Sequence, residues 1–341
     1  MMALFAQCRG MCRGITLRGA CGAREFVTIA PQLKNMPVII PIGGGKGGVG
    51  KSFISANLGA LMAKRGHRVI LIDLDLGGSN LHTLLGIKSP PGGLDRFLDK
   101  TENRLEQVAV PTHISNLSFI SSLHCSMEIA NLYHAQKVKL IHAILRLPCD
   151  CILLDLGAGT HFNTLDFFLT SEAGVFVCTP EPTAIENAFR FIKAAYLRKL
   201  KQIISRNAFH KIVKDAVQDG GNQALRYTDL VDLVLKYDPG MEMFLRDSIR
   251  RLQFRFILNQ FRKSTDSTLG EKIKTVCNRH FYSPFEFLGQ IDFDERVTDS
   301  ILSKNLFTLQ YPESKTAIDF RAIVDQLAPK RVASHTMVQV R

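Results

Sequence analysis

An α/β fold, with a doubly wound and mainly parallel sheet covered by helices on both faces, is what this chain predicts. Three observations carry that expectation. Short apolar runs of strand length recur at 37–42, 68–75, 117–122, 150–156, 174–180, 254–260 and 285–290. Through most of the chain they alternate with segments whose apolar residues fall at helical spacing, the rhythm of a parallel sheet. The first run passes straight into a glycine-rich turn and then a helical pattern, the context that a phosphate-binding loop requires.

Composition sets the outer bounds. The chain has 341 residues, 46% of them apolar, enough to bury a large core in one or two domains. Its net charge of +12 permits attraction to nucleic acid or to an anionic membrane surface. No apolar run reaches the roughly twenty residues of a membrane span. The eight cysteines include no C-x-x-C pair, which argues against a zinc ribbon, a thioredoxin-type motif and any dedicated metal cluster. A reducing cytoplasm fits that usage.

Taken in order, residues 1–36 stand apart as a basic N-terminal extension. They hold Cys8, Cys12 and Cys21 among Arg9, Arg13, Arg18 and Arg24, with Glu25 the one acid. An Arg-rich, acid-poor stretch has transit-peptide composition, but no amphipathic helix is evident, so a disordered tail or translated upstream sequence is expected. Residues 37–328 read as one domain and 329–341 as a tail.

Residues 43–52 read Gly-Gly-Gly-Lys-Gly-Gly-Val-Gly-Lys-Ser. Gly45, Gly47, Gly48, Val49 and Gly50 are expected to turn backbone N–H groups onto phosphates, helped by the dipole of the helix that follows. Lys51 is expected to reach the β and γ phosphates, and Ser52 to ligate Mg²⁺. Gly66 suits a left-handed helix stop. The strand 68–75 ends in Asp73 and Asp75, and 150–156 carries Asp155 near its end. Acids at the carboxyl ends of parallel strands sit where ligands collect, and they are costly there without a metal, a cation or water to face. Asp155 has the setting of a Walker B acid. Pro182 opens a helix with Thr183 as its candidate cap. Residues 198–251, rich in Lys and Arg, read as a helical insertion whose basic face would meet solvent, DNA or membrane. Asn259 ends a strand where a base edge could meet it. A closing helix covers 317–327.

These residues resemble the MinD/ParA ATPases. Residues 46–52 match their deviant Walker A pattern, with Lys46 as the signature lysine. Asp73 and Asp75, followed by Gly77 and Asn80, are similar to switch I, and residues 155–159 to Walker B and switch II. Residues 179–188 are similar to a stretch in MinD and in the flagellar-number regulator FlhG (also called FleN or YlxH). The resemblance implies a slow, partner-stimulated ATPase that binds ATP and Mg²⁺ and forms an ATP-dependent homodimer. It implies that Lys46 reaches the phosphates of the opposite subunit, where a second cation would neutralise developing charge. It also implies that Asp75 orients the attacking water, that Asp73 and Asp155 serve the Mg²⁺ shell with Ser52, and that Asn259 contacts adenine. Number or position control of a flagellum or division site is the expected role, in the cytoplasm or at the inner face of the membrane, with an unidentified activating protein. A ParA-like DNA-segregation ATPase is the alternative. An Mrp-type iron–sulfur carrier lacks its cysteine pair here. The tail lacks bulky apolar residues at helical spacing, unlike the membrane-binding helix that ends MinD.

Overall fold

The structure, a computed structural model, describes residues 36–125, 132–204, 231–232, 234–235 and 239–329. Eight strands form one sheet: β1 Val38–Gly43, β2 Val69–Leu74, β3 Val110–Pro111, β4 Leu117–Ile120, β5 Cys151–Leu156, β6 Ala173–Cys178, β7 Gln253–Phe261 and β8 Phe285–Asp292. Their spatial order is β3-β4-β2-β5-β1-β6-β7-β8. Every pairing is parallel except β3 with β4. β3, two residues at the edge, has too short a pattern to be legible as a strand beforehand.

The principal helices are α1 Lys51–Lys64, α2 His134–Ile144, α3 Phe162–Phe168, α4 Pro182–Ile203, α5 Glu242–Arg251, α6 Leu269–His280 and α7 Lys315–Leu327. Two apolar cores flank the sheet. One joins Ile42 and Leu153 of the sheet to Ile54 and Leu58 of α1 and to Phe320 and Ile323 of α7. The other joins Ile72, Phe176 and Phe254 to Leu140, Phe168, Phe191 and Ile273 of α2, α3, α4 and α6. Both faces are therefore covered. This is why β2 and β5 are buried along their whole length and read as unbroken apolar runs rather than alternating ones.

Local signals agree with the elements they were read from. Gly66 takes φ 85° just past α1, and the Gly66 and His67 N–H groups close the helix end on the Ala63 and Met62 carbonyls. Two boundaries move. α4 starts at Pro182 with Glu181 at the capping position, so Thr183 lies inside the helix and does not cap it. α4 also runs through Arg198 to Ile203, because Ala195, Tyr196, Leu200 and Ile203 keep burying one face. The expected insertion therefore has no boundary at Arg198, and its residues 205–230 lie outside the described residues. So do the 1–35 part of the extension and 330–341 of the tail.

Candidate nucleotide site

β1 is the central strand from which the order departs to both sides, and its carboxyl end passes directly into the 44–50 loop. In open α/β sheets this switch point is where ligands bind. Gly50 takes φ 91° immediately before α1, so the N–H groups of the first helical turn open onto the loop. The loop is pressed close to its neighbours. A Cβ at Gly45 would fall 1.9 Å from the Asn187 carbonyl oxygen of α4, and one at Gly50 would fall 2.2 Å from Asn259 Nδ2. The Gly44 carbonyl accepts from Gly159 N–H at 3.1 Å, which ties the loop to the turn after β5.

The two lysines of the loop have opposite surroundings. Lys46, Gly47 and Gly48 are exposed at the crest, whereas Lys51 is buried at the base. Burial lowers the Lys51 pKa, and the nearby Asp155 and Asp75 carboxylates work against that fall. Asp155 and Asp73 are register partners across β5 and β2, and both are fully buried. Burial raises each carboxyl above its usual range. Each charge raises the pair further: Asp73 acts on Asp155, and Asp75 on Asp73. Asp155 accepts hydrogen bonds from Ser52 and from Ser55 Oγ, the latter at 3.0 Å.

Asp73 is engaged by its own turn. It accepts from Ser79 Oγ at 2.7 Å, Asp75 N–H at 3.0 Å and Leu81 N–H at 3.3 Å. Asp75 is half-buried and faces the opposite loop closely: a Cβ at Gly157 would lie 3.1 Å from its Oδ1. Asp75, Gly78 and Gly157 border an open cavity of about 740 Å³, with Lys137 and Arg198 on its wall. Asn259 is buried, and its Nδ2 donates to the Val49 carbonyl at 2.9 Å.

The structure thus brings together all the residues singled out beforehand: the loop, Lys51, Ser52, Asp73, Asp75, Asp155 and Asn259, with Lys46 at the rim. It adds Ser55, Ser79 and Gln260. Ser55 had a legible signal, since it stands four residues after Lys51 and so on the same face of α1. Ser79 and Gln260 had none.

A buried pair of carboxylates beside a serine hydroxyl, with one buried lysine to balance them, suits a divalent cation. The glycine cradle before α1 suits a polyphosphate. Among the described residues no group of three or more His, Cys, Asp and Glu is placed to hold a metal ion by itself. Fold and site together define a P-loop nucleotide-binding domain.

Comparison with known proteins narrows that class. A model of the CobQ/CobB/MinD/ParA nucleotide binding domain matches residues 40–307, and the chain belongs to this family. It is 23% identical over 290 residues to the antiactivator FleN of Pseudomonas aeruginosa, covering 85% of each chain. It is 33% identical over 156 residues to the flagellum site-determining protein YlxH of Helicobacter pylori, covering 45% of this chain and 52% of that one. The septum site-determining protein MinD of Pyrococcus horikoshii, solved with Mg-ADP, superposes with a TM-score of 0.54. It is 20% identical over 85% of this chain and 96% of that one. The chain spans about half the length of YlxH and most of FleN.

Proposed function

We propose that this protein is a dimerising ATPase switch of the MinD/ParA type. In this reading it binds ATP with Mg²⁺, hydrolyses ATP slowly, and regulates the number or position of a cellular structure such as a flagellum or division site. The observation that carries the reading is the division of labour within one loop: Lys51 is buried beside Asp155 and Asp75, while Lys46 stands exposed at the crest. A lysine buried at the base can serve the phosphates of its own subunit. One exposed at the crest can reach across to a second copy. The similarity to FleN over 85% of both chains favours the regulator reading over DNA segregation.

Bound Mg²⁺ would neutralise phosphate charge and, with it, the cost of two adjoining buried carboxylates. Ser52 and Asp155 would hold it, and the hydrogen bond between them keeps both groups at the base of the loop. Asp73, taken up by Ser79 and Leu81, would act one step away by fixing the turn that carries Asp75. Asp75, half-buried on the cavity, would orient the attacking water. The Gly44–Gly159 hydrogen bond would let the turn after β5 respond to what the loop holds.

Light scattering of the purified chain with ATP and Mg²⁺ tests this reading. Wild type should shift from monomer to dimer mass, and Lys46→Ala should stay monomeric while still binding nucleotide. A wild type that remains monomeric and turns over no ATP would sink the switch.

A further inference from the structure

We propose that Asn259 and Gln260 are positioning residues of the phosphate loop: two consecutive side-chain amides at the end of β7 that hold the Gly48 and Val49 carbonyls outward. Asn259 Nδ2 donates to Val49 O at 2.9 Å, and Gln260 Nε2 donates to Gly48 O at 3.4 Å. The first bond is buried and short and dominates; the second is exposed and long. In a trans peptide the C=O and the next N–H point in opposite directions. Anchoring the carbonyls of 48 and 49 therefore aims the N–H groups of Val49 and Gly50 back into the cradle, where a phosphate would accept them.

Two further features of the backbone fit this role. Gln260 has φ 57°, a left-handed conformation that non-glycine residues adopt at a cost and that tends to mark sites where the surroundings demand it. It falls where the β7–β8 register slips between Leu258 and Phe261. That irregularity allows two successive residues of one strand to address the same loop, although side chains along a regular strand alternate faces. On the loop side, Gly48 and Gly50 take φ 78° and 91°, and only the missing Cβ at Gly50 lets Asn259 approach. One of the two N–H donors of Asn259 Nδ2 is thus committed to the loop. Its contribution is to the grip on phosphate whichever base is attached.

This inference rests on the nucleotide reading above, and the test keeps the two apart. Calorimetric titrations of the full chain would use Mg-ADP, Mg-GDP and pyrophosphate with Mg²⁺. Asn259→Leu should weaken ADP and pyrophosphate in parallel, by about tenfold, and leave the preference for ADP over GDP unchanged. Gln260→Gly suits the backbone conformation but loses the amide, and should weaken both by about threefold. The proposal is overturned if pyrophosphate binds either variant as it binds wild type. It is equally overturned if Asn259→Leu loses ADP alone and its preference over GDP collapses, the signature of a base contact. Should Asn259→Leu not fold, Gln260→Gly carries the test. Hydrogen exchange of the nucleotide-free chain gives a second reading: amides across residues 47–51 should exchange about tenfold faster in Asn259→Leu than in wild type. Unchanged exchange there refutes the clamp. Failure of wild type to bind ADP or pyrophosphate would instead refute the nucleotide reading.

Discussion

At the scale of single residues the site is built against its own stability. Asp73 and Asp155 are buried side by side, and both are held above the usual carboxylate range. Lys51 is the buried cation beside them, and burial weakens its charge as well. Asp155→Asn should remove a poorly compensated charge while keeping an oxygen for Ser55 to donate to. In metal-free buffer at pH 8 the variant is expected to be more stable than wild type by about 1 kcal/mol in urea unfolding. The same change should weaken Mg²⁺-dependent nucleotide binding, on the order of 10–100-fold. A loss of stability instead would show that Lys51 balances the pair. The three acids were legible in the sequence, because an apolar run that meets an acid at its end is a costly pattern. The partners of Asp73 were not: Ser79 lies in a flexible turn, and only the fold brings its hydroxyl onto the carboxylate.

At the scale of elements, α3, the helix after the Gly157 and Gly159 turn, is tied down by one carboxylate. Asp166 of α3 is buried and accepts from Lys137 of α2, from Arg198 of α4 at 2.7 and 2.8 Å, and from Gln202 at 3.3 Å. Lys137 also donates to Asn163 at 3.2 Å, and Arg198 stacks over the Phe162 ring at 5.0 Å. Three helices thus meet at one buried ionic cluster beside the cavity that Asp75 faces. Burial alone would raise the Asp166 pKa, but the hydrogen bonds from Arg198 and Lys137 outweigh it and carry it below the ordinary value. A carboxylate with a lowered folded pKa contributes stability above its unfolded pKa of about 3.9, and loses it as the pH falls through the folded value. Asp166→Asn should therefore cost about 3 kcal/mol at neutral pH, since two cations lose their counter-charge. The gap to wild type should begin to narrow below about pH 4 and close once the pH is under the lowered folded value. Denaturant unfolding at pH 7 and in acid measures both; a gap that persists in acid would mean lost packing rather than lost charge. Each of these helices was visible as a period in the sequence. The cluster was not, because Asp166 is 29 residues from Lys137 and 32 from Arg198, and no local pattern links them.

At the scale of the whole molecule, the distribution of positive charge sets how strongly a polyanion would be attracted, were one to meet it. The fold class was legible because both faces of the sheet are covered and its strands are plainly apolar. The basic stretch from 198 onward was harder to read, because ion pairing depends on the folded arrangement. Arg198 is bound to Asp166, Arg246 to Glu242 and Arg251 to Asp247, so three of its arginines are not a bare cationic face. The two ends of the chain carry a further excess of positive charge. Residues 1–35 hold Arg9, Arg13, Arg18, Arg24 and Lys34 against Glu25, and residues 330–341 hold Lys330, Arg331 and Arg341 with no acid. Together they supply seven of the net +12. Nonspecific binding to a polyanion scales with the cations that displace its counterions. Replacing Arg9, Arg13, Arg18, Arg24, Lys330 and Arg331 by Gln in the full chain halves the net charge. It should flatten the salt dependence of duplex-DNA binding by a log–log slope of up to about five, and weaken binding to anionic vesicles in the same direction. Replacing Arg246 and Arg251 by Gln should change neither by more than a slope of about one. ATP turnover should be unaffected by the six changes, because the candidate nucleotide site is built from the 44–52 loop, Asp73, Asp75, Asp155 and Asn259. An undiminished salt slope in the six-fold variant would place the gripping charge on the ATPase body instead, and the helix Glu242–Arg251 would then be the first surface to neutralise.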